Sequence, residues 1–449
     1  MDKTKNNDLT TGSPLVKIIL FALPLVGGTL FQQLYSFVDT VIVGRCLGET
    51  ALAAVGVTYS LNFLILGFIQ GCAVGFGVPM SQAFGAKDSE QVHRYYWNGV
   101  WLAAIISVVF MVVTVAFTVP LLRLISTPDN IIDMAALYIK IIFIGIPLTM
   151  LYNHSAGALR ALGDSKHPFY FLLVSAALNI VLDYLLVAII PMGVAGAAVA
   201  TVFSQGVSGV LNTWWLLKKT EGFRVVRSEM GWRSENAKRL CVVGLPMGFE
   251  YSVSAIGAVV MQDAINGLGS VAIAAQTTGE KIRQMFTLPM ESVGMAMATY
   301  AAQNYGAKEI GRIKRGIRDS LLIQYTYCIA AWLVIFAAKA GLVSLVLGES
   351  TSATAEGAIE YLTRISVLFF IHGSLMIFRN TLQGMGYSLQ AILSGVGELL
   401  GRCLGSLLTG TFGFVAICYA NPIAWGCALL YSATMVIIHL RRMSKETVQ

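Results

Sequence analysis

Gly85-Ala86-Lys87 recurs as Gly306-Ala307-Lys308, 221 residues further along the chain. The phrase is short, but it does not stand alone. Leu47-Gly48 followed by Ala53-Ala54 returns as Leu268-Gly269 followed by Ala274-Ala275, again 221 residues on. Leu23-Pro24 returns as Leu245-Pro246 at 222, and Leu159 with Gly163 returns as Leu382 with Gly386 at 223. Four matches, in one order and at nearly one offset, make the chain two copies of a single unit.

Composition says what that unit is made of. Of 449 residues 56% are hydrophobic and only 12% are charged, about half the ~25% charged residues of a soluble domain. A chain so poor in polar surface is not a soluble, disordered, collagen-like or nucleic-acid-binding protein, and no room is left for a separate soluble domain. Twelve apolar segments are read at 18–40, 51–80, 95–119, 131–152, 168–190, 193–217, 240–263, 271–298, 318–343, 358–380, 388–410 and 413–440, each near the roughly 20 residues that cross a bilayer. The fold expected is an all-α integral membrane protein, with twelve transmembrane helices in two pseudo-symmetric six-helix lobes. Six is even, so both copies enter the membrane in the same sense, as parallel repeats about an axis along the membrane normal. The divisions are a tail 1–17, an N-lobe 18–217, a basic linker 218–239, a C-lobe 240–440 and a tail 441–449. Two matching bundles around a cleft suit alternating access, although repeats also occur in channels and scaffolds.

The net charge of +7 reads as topology rather than as an anionic partner. With both termini on one side, that side carries 23 of the 31 Lys and Arg, and the opposite loops carry Arg45, Arg123 and Lys339. By the positive-inside rule both termini are cytoplasmic in a multi-pass cell-membrane protein. Lys218, Lys219, Arg224 and Arg227 in the linker serve the same end. The first apolar stretch is too long for a cleavable signal peptide. Seven scattered Cys, none in a CxxC pair, read as small buried hydrophobes rather than a disulfide framework or metal site.

Polar side chains inside apolar spans are costly, roughly 2.5–3.5 kcal/mol for an ionisable group at the bilayer centre on insertion scales, and mark function by default. Gln32, Ser36 and Asp39 fall on one face of the first span, with Tyr35 between them. Ser175, Asn179 and Asp183 line one face of the fifth, and Thr201, Gln205 and Ser208 one face of the sixth. All three stripes belong to the first half and are expected to converge. Oxygen ligands of this kind suit Na⁺. Two neighbouring buried carboxylates also suit a proton, because like charges resist double ionisation. The plain alternative is hydrogen bonding between helices. The second half carries Glu250 one turn after Pro246, Gln276, Glu280 and Gln284 on one face of span eight with Lys281, Arg283 and Glu291 nearby, and His372 in span ten. Glu398 and Arg402 have ion-pair spacing, and local pairing is also favoured for Glu280 with Arg283. Glu250, with no basic residue one turn away, is the better candidate to meet a cationic substrate. A lone His such as His372 more often packs than binds. Pro24 and Pro246 occupy equivalent places and are hinge candidates, or fixed kinks inherited with the repeat. Seventeen Met together with many aromatic residues supply adaptable apolar surface.

Several phrases resemble one family. Ser36-Phe37-Val38-Asp39-Thr40 with Gly44-Arg45 and Leu47-Gly48, Gln82 through Lys87, Leu159 through Gly163-Asp164, Leu178 through Asp183, Val194 through Ala198 with Ala200-Thr201, and Gln303 through Ala307 are together similar to the multidrug and toxic compound extrusion (MATE) family. The resemblance covers nearly the whole chain. It implies two six-helix lobes arranged as a V, and export of organic cations and other amphiphiles against inward H⁺ or Na⁺. In one branch the coupling residues match Asp39, Asn179, Asp183 and Thr201. Another branch uses a span-seven glutamate and a span-ten aspartate. Here Glu250 lies closer to the proline than that glutamate does, and His372 falls about where the aspartate would be, which leaves a second-lobe Na⁺ site unsupported.

The function expected is a secondary active multidrug efflux antiporter. Substrate-binding candidates are Gln32, Tyr35, Ser36, Glu250, Gln276, Glu280, Gln284 and His372. The partners are small amphiphilic or cationic molecules and the bilayer, with no nucleic acid, no cofactor, a monomeric state, and H⁺ or Na⁺ as the coupling ion. The competing reading is a flippase for a lipid-linked saccharide or lipid. That reading asks for a more cationic cleft than Lys140, Lys281, Arg283, Arg364 and Arg402 provide. An integral-membrane enzyme would need a motif such as HExxH, GxSxG, Walker or paired Cys, and none is present.

Overall fold

The computed structural model describes residues 8–220, 223, 226–348 and 351–446, with the side chains of 251, 255, 259 and 446 excepted. Lys3, Lys5, Arg224 and the end of the C-terminal tail lie outside the described residues. The described chain is helical throughout, with no strand. The first half runs α1 (Pro14–Leu47), α2 (Glu49–Val57), α3 (Tyr59–Gly85), α4 (Ser89–Ala116), α5 (Thr118–Leu124), α6 (Asp129–Ile144), α7 (Ile146–Ala161), α8 (Lys166–Asp183) and α9 (Val194–Lys219). The second runs α10 (Ser234–Asn266), α11 (Ser270–Gly306), α12 (Ile310–Leu347), α13 (Ala353–Ser366), α14 (Phe369–Gly384), α15 (Ser388–Leu407), α16 (Thr409–Phe412) and α17 (Phe414–Glu446).

Nine described helices are long and apolar enough to cross a membrane. Two bent pairs, α6 with α7 (45°) and α13 with α14 (52°), bring the number to eleven. The twelfth expected span corresponds to α11, which has 37 residues. It has ample length but falls short in apolarity, because Glu280, Lys281, Arg283 and Glu291 ride on it.

The repeat is written in the backbone as well as in the sequence. Among the described residues eleven have positive φ, and ten of them form five pairs: Gly48 with Gly269, Lys87 with Lys308, Ser126 with Gly348, Gly163 with Gly386, and Gly193 with Gly413. These are the helix ends, where a left-handed residue lets the chain turn back. After α3, Lys87 N–H bonds Phe84 O at 3.0 Å and Asp88 N–H bonds Ala83 O at 3.0 Å. After α11, Lys308 and Glu309 repeat the pattern onto Tyr305 O (3.0 Å) and Asn304 O (2.8 Å). The shared Gly-Ala-Lys phrase is therefore the signature of a helix stop.

By their internal contacts the residues form two compact units, one of Leu23–Ser252 and one of Leu9–Ala22 with the chain from Val253 on. These bounds differ from the lobes drawn on sequence. The described residues of the basic segment 218–239 and the first part of α10 pack with the first unit, and the start of α1 packs with the second. Close backbone approach explains the first displacement. A Cβ on Gly75 would lie 2.5 Å from Gly244 Cα, and one on Gly71 would lie 2.5 Å from Met247 O. Gly71-x₃-Gly75 on α3 thus faces Gly244-x₃-Gly248 on α10, the small-residue spacing that lets membrane helices touch along their backbones. We expect Gly75→Ala to destabilise the protein by about 1–3 kcal/mol, the usual cost of overpacking. A melting temperature equal to that of the wild type in detergent would refute this contact. Side chains of the second unit explain the other displacement. Gln303 Oε1 accepts from Leu9 N–H at 3.0 Å, and Leu9 O accepts from Asn304 Nδ2 at 3.2 Å and Arg312 Nη2 at 3.1 Å.

Each unit has an apolar interior. In the first, Ile69, Phe76, Ile139, Phe143 and Ile146 are nearly or fully buried on α3, α6 and α7. In the second, Met290, Ile335, Tyr361, Ile365 and Phe369 are fully buried. Large apolar side chains such as Val109, Phe203, Leu333 and Leu430 are exposed, as the outward faces of membrane helices should be.

Candidate functional site

The polar stripes of the first half meet inside the first unit. Ser175, Asn179 and Asp183 are 6%, 2% and 0% exposed, so the whole stripe on α8 turns inward, as its four-residue spacing predicts. Ser175 Oγ donates to Ser204 O on α9 at 2.7 Å. Asn179 Nδ2 reaches Thr201 Oγ1, also on α9, at 3.5 Å. Asp183 closes α8 and lies beside Asn179 and the Asp39 carboxyl of α1. Asp39, Asn179, Asp183 and Thr201 are therefore neighbours within one unit.

The unusual property of this cluster is an excess of acceptors. Asp183 Oδ1 and Oδ2, Asp39 Oδ1 and Asn179 Oδ1 are buried without a hydrogen-bond donor among the described residues. A proton on either carboxyl would join the two aspartates. A hard cation would instead find several oxygen ligands. A buried polar group without a partner is costly in any interior, and here four such oxygens lie close together.

Of the substrate candidates in the first span, Gln32 and Ser36 are exposed and Tyr35 is half-buried. The Tyr35 hydroxyl lies near Gln32 and Gln205, with Tyr152 and Asp39 in its surroundings. Glu250 is buried on the part of α10 that belongs to the first unit. Three residues that sequence reasoning passed over also belong here. Tyr138 of α6 lies within electrostatic reach of Asp39, Asp183 and Tyr35, Thr149 of α7 donates to Gln205 Oε1 at 2.7 Å, and Tyr152 neighbours Tyr35. Thr149 and Asn153 form a four-residue polar stripe that was available in the sequence. Tyr138 stands alone between Leu137 and Ile139 and gave no periodic signal.

The second unit holds a different arrangement, in which charges are matched. Arg283 grips Glu280 with Nε at 2.8 Å and Nη2 at 2.5 Å, and Tyr361 OH donates to Glu280 Oε2 at 2.6 Å. Glu398 accepts from Arg402 Nη2 at 2.7 Å and from Arg379 Nη1 at 3.2 Å. The pairings expected from spacing are both present, and Arg379 is an added third member. His372 is buried against Trp425 with ring centroids 4.7 Å apart, and the carboxylate of Glu291 is 3.9 Å from its Nε2. Gln276 is half-buried and Gln284 exposed. Pro24 and Pro246 sit inside uninterrupted helices. The division between units falls beside Pro24, at Leu23, and six residues beyond Pro246, at Ser252.

Comparison with known proteins agrees with this architecture. The MatE family model matches residues 24–185 and again 246–402, one match for each copy of the repeat. The chain is 30% identical over 374 residues to the probable multidrug resistance protein YoeA of Bacillus subtilis (strain 168), covering 82% of this chain and 80% of that protein. It is 31% identical over 312 residues to the probable multidrug resistance protein YpnP of the same organism, covering 69% of each. Among solved structures, an outward-facing multidrug resistance MATE family transporter superposes with a TM-score of 0.92 over 99% of both chains, at 20% identity, a likeness of fold. With the family model covering both halves, the chain belongs to the multidrug and toxic compound extrusion family of membrane transporters, not enzymes.

Proposed function

We propose that this protein exports amphiphilic, chiefly cationic, organic molecules across the cell membrane, with both termini cytoplasmic, in exchange for inward H⁺ or Na⁺. The observation that carries the reading is the juxtaposition of Asp39 and Asp183, with their donor-free oxygens, inside membrane-spanning helices. Asn179 and Thr201 complete the oxygen set around the ion. Gln32, Tyr35 and Ser36, on the same helix as Asp39, stand where a substrate could compete with the ion for that carboxylate. The names of the Bacillus relatives, both multidrug resistance proteins, favour drug-like substrates. The matched charges of the second unit favour a structural role for Glu280 over direct substrate contact. Glu250 and His372 remain substrate candidates, and Pro24 and Pro246 hinge candidates, for the alternation of access.

Everted vesicles bathed in a fluorescent organic cation test the reading, because export then appears as uptake into the lumen. A proton gradient and a Na⁺ gradient are imposed separately on vesicles with and without the protein. We expect one of the two to drive transport well above the protein-free rate. Transport indifferent to both would sink ion coupling.

A further inference from the structure

Immediately after Asp183 the α-helix gives way to a π-helical turn, Tyr184–Ile189. Ile190 N–H bonds Leu185 O at 2.7 Å, a five-residue step, and Met192 N–H bonds Leu186 O at 3.1 Å. Such turns are rare and gather at functional sites. This one is seated against the start of α9, where Gly196 has no side chain. A Cβ there would lie 2.8 Å from Leu186 O and 3.0 Å from Leu186 C. Both are backbone atoms, so no side-chain rotation relieves the clash.

The second half supplies an internal control. The repeat offset falls from 223 at Gly163/Gly386 to 220 at Gly193/Gly413, so the first half carries three more residues across this stretch. At the 223 offset Asp183 corresponds to Ser406, and at the 220 offset Gly196 corresponds to Ala416. There the chain keeps four-residue steps, Leu408 N–H to Leu404 O (3.1 Å), Phe412 N–H to Leu408 O (2.9 Å) and Gly413 N–H to Thr409 O (2.9 Å). The buried carboxylate, the wide turn and the glycine occur together in one copy and are missing together from the other.

We propose that the π-helical turn Tyr184–Ile189, held against Gly196, is the positioning element that aims the Asp183 carboxyl at the ion. The inference rests on the reading of Asp39 and Asp183 as the coupling pair. The turn fixes the last residue of α8 against α9, the helix that also carries Thr201. Gly196 thus sets, from outside the cluster, the spacing at which Asp183, Asn179 and Thr201 face one ion. Gly196 is a positioning residue and touches neither ion nor substrate.

The test is ion-driven export by the purified full-length protein in proteoliposomes, with H⁺ or Na⁺ as the probe, whichever drives the wild type. Gly196→Ala should raise the half-saturating ion concentration about tenfold while lowering the rate at saturation less than threefold. Ala416→Gly should leave the half-saturating concentration unchanged. Gly99→Ala, whose added Cβ would meet the His154 ring at 2.5 Å, should lower melting temperature without moving ion dependence. If Gly196→Ala behaves like Gly99→Ala, or alters only the rate at saturation, the positioning role is overturned. Should Gly196→Ala fail to fold, hydrogen exchange on the wild type decides. Amides of 184–192 should gain protection when ion is added, and should not do so in Asp183→Asn; no ion-dependent change in the wild type overturns the proposal. Asp183→Asn separates the two ideas. Wild-type ion dependence in that variant removes the coupling site itself, whereas loss of coupling there beside an unaltered Gly196→Ala removes only the positioning role.

Discussion

Asp183→Asn should abolish ion-driven export and leave the protein as stable as before, or more so. The two halves of this expectation come from one observation. Both carboxylate oxygens of Asp183 are buried without a donor among the described residues, and the residue is 0% exposed. An unmatched buried acceptor costs about 1–3 kcal/mol, more when it is charged. An amide of the same shape carries no charge and brings two donors of its own to a site rich in oxygen. Removing the carboxylate therefore removes a liability of the fold. If the residue is retained for ion binding, its loss should bring export down to the protein-free rate, at least tenfold. Asp39→Asn should act in the same direction, with a smaller change in stability because Asp39 is only half-buried. Export measured in proteoliposomes beside melting in detergent gives both numbers. A variant that melts well below wild type would assign Asp183 to structure. A stable variant that still pumps at the wild-type rate would remove it from the mechanism.

Much of this site was legible in the sequence because helix periodicity is strong inside apolar spans. Ser175, Asn179 and Asp183 share a face by spacing alone, and all three prove buried. The repeat was equally legible. Its Gly-Ala-Lys phrase marks a left-handed helix end that both halves need, and the paired positive-φ residues extend that logic to five turns. What was not legible depends on how helices meet. Tyr138 enters the cluster by way of α6, which joins α7 at a 45° bend, and no pattern along α6 announces it. The extent of the first compact unit depends on Gly71, Gly75, Gly244 and Gly248, whose significance appears only when α3 and α10 lie together. The π-helical turn could not be read either, since Tyr184–Ile189 is an ordinary apolar run. Only the shortened repeat offset hints at extra residues. The eighth span was legible by length rather than by apolarity. α11, at 37 residues, has length to cross the membrane, and the segment 271–298 reads as a span although Glu280, Lys281, Arg283 and Glu291 lower its apolarity.

Those matched charges lead to the second large effect, at Glu398. This carboxylate is 7% exposed and joins two guanidinium groups, Arg402 on its own helix and Arg379 on α14. Arg402 also donates to Ser254 O at 3.0 Å, and its Nη1 lies so close to Gly257 that a Cβ there would stand 2.6 Å away. The guanidinium is thus held against α10, with its side chain 14% exposed. Glu398→Leu leaves Arg402 and Arg379 facing each other without the anion between them. Breaking a buried ion network by removing one member costs roughly 3–5 kcal/mol. We expect the single variant to melt many degrees below wild type or to fail to accumulate in the membrane. Replacing the whole network, with Arg379→Met, Glu398→Leu and Arg402→Met together, should recover most of the loss, because well-packed apolar side chains commonly match or exceed a buried ion network in stability. Recovery would show that the penalty came from uncompensated charge rather than from lost volume. The triple variant then answers a question about transport. If it folds and still exports, the charges of α14 and α15 hold the second unit together and leave ion coupling to the first. If it folds and is inert, those charges belong to the transport cycle. A single variant as stable as wild type would contradict the burial argument itself.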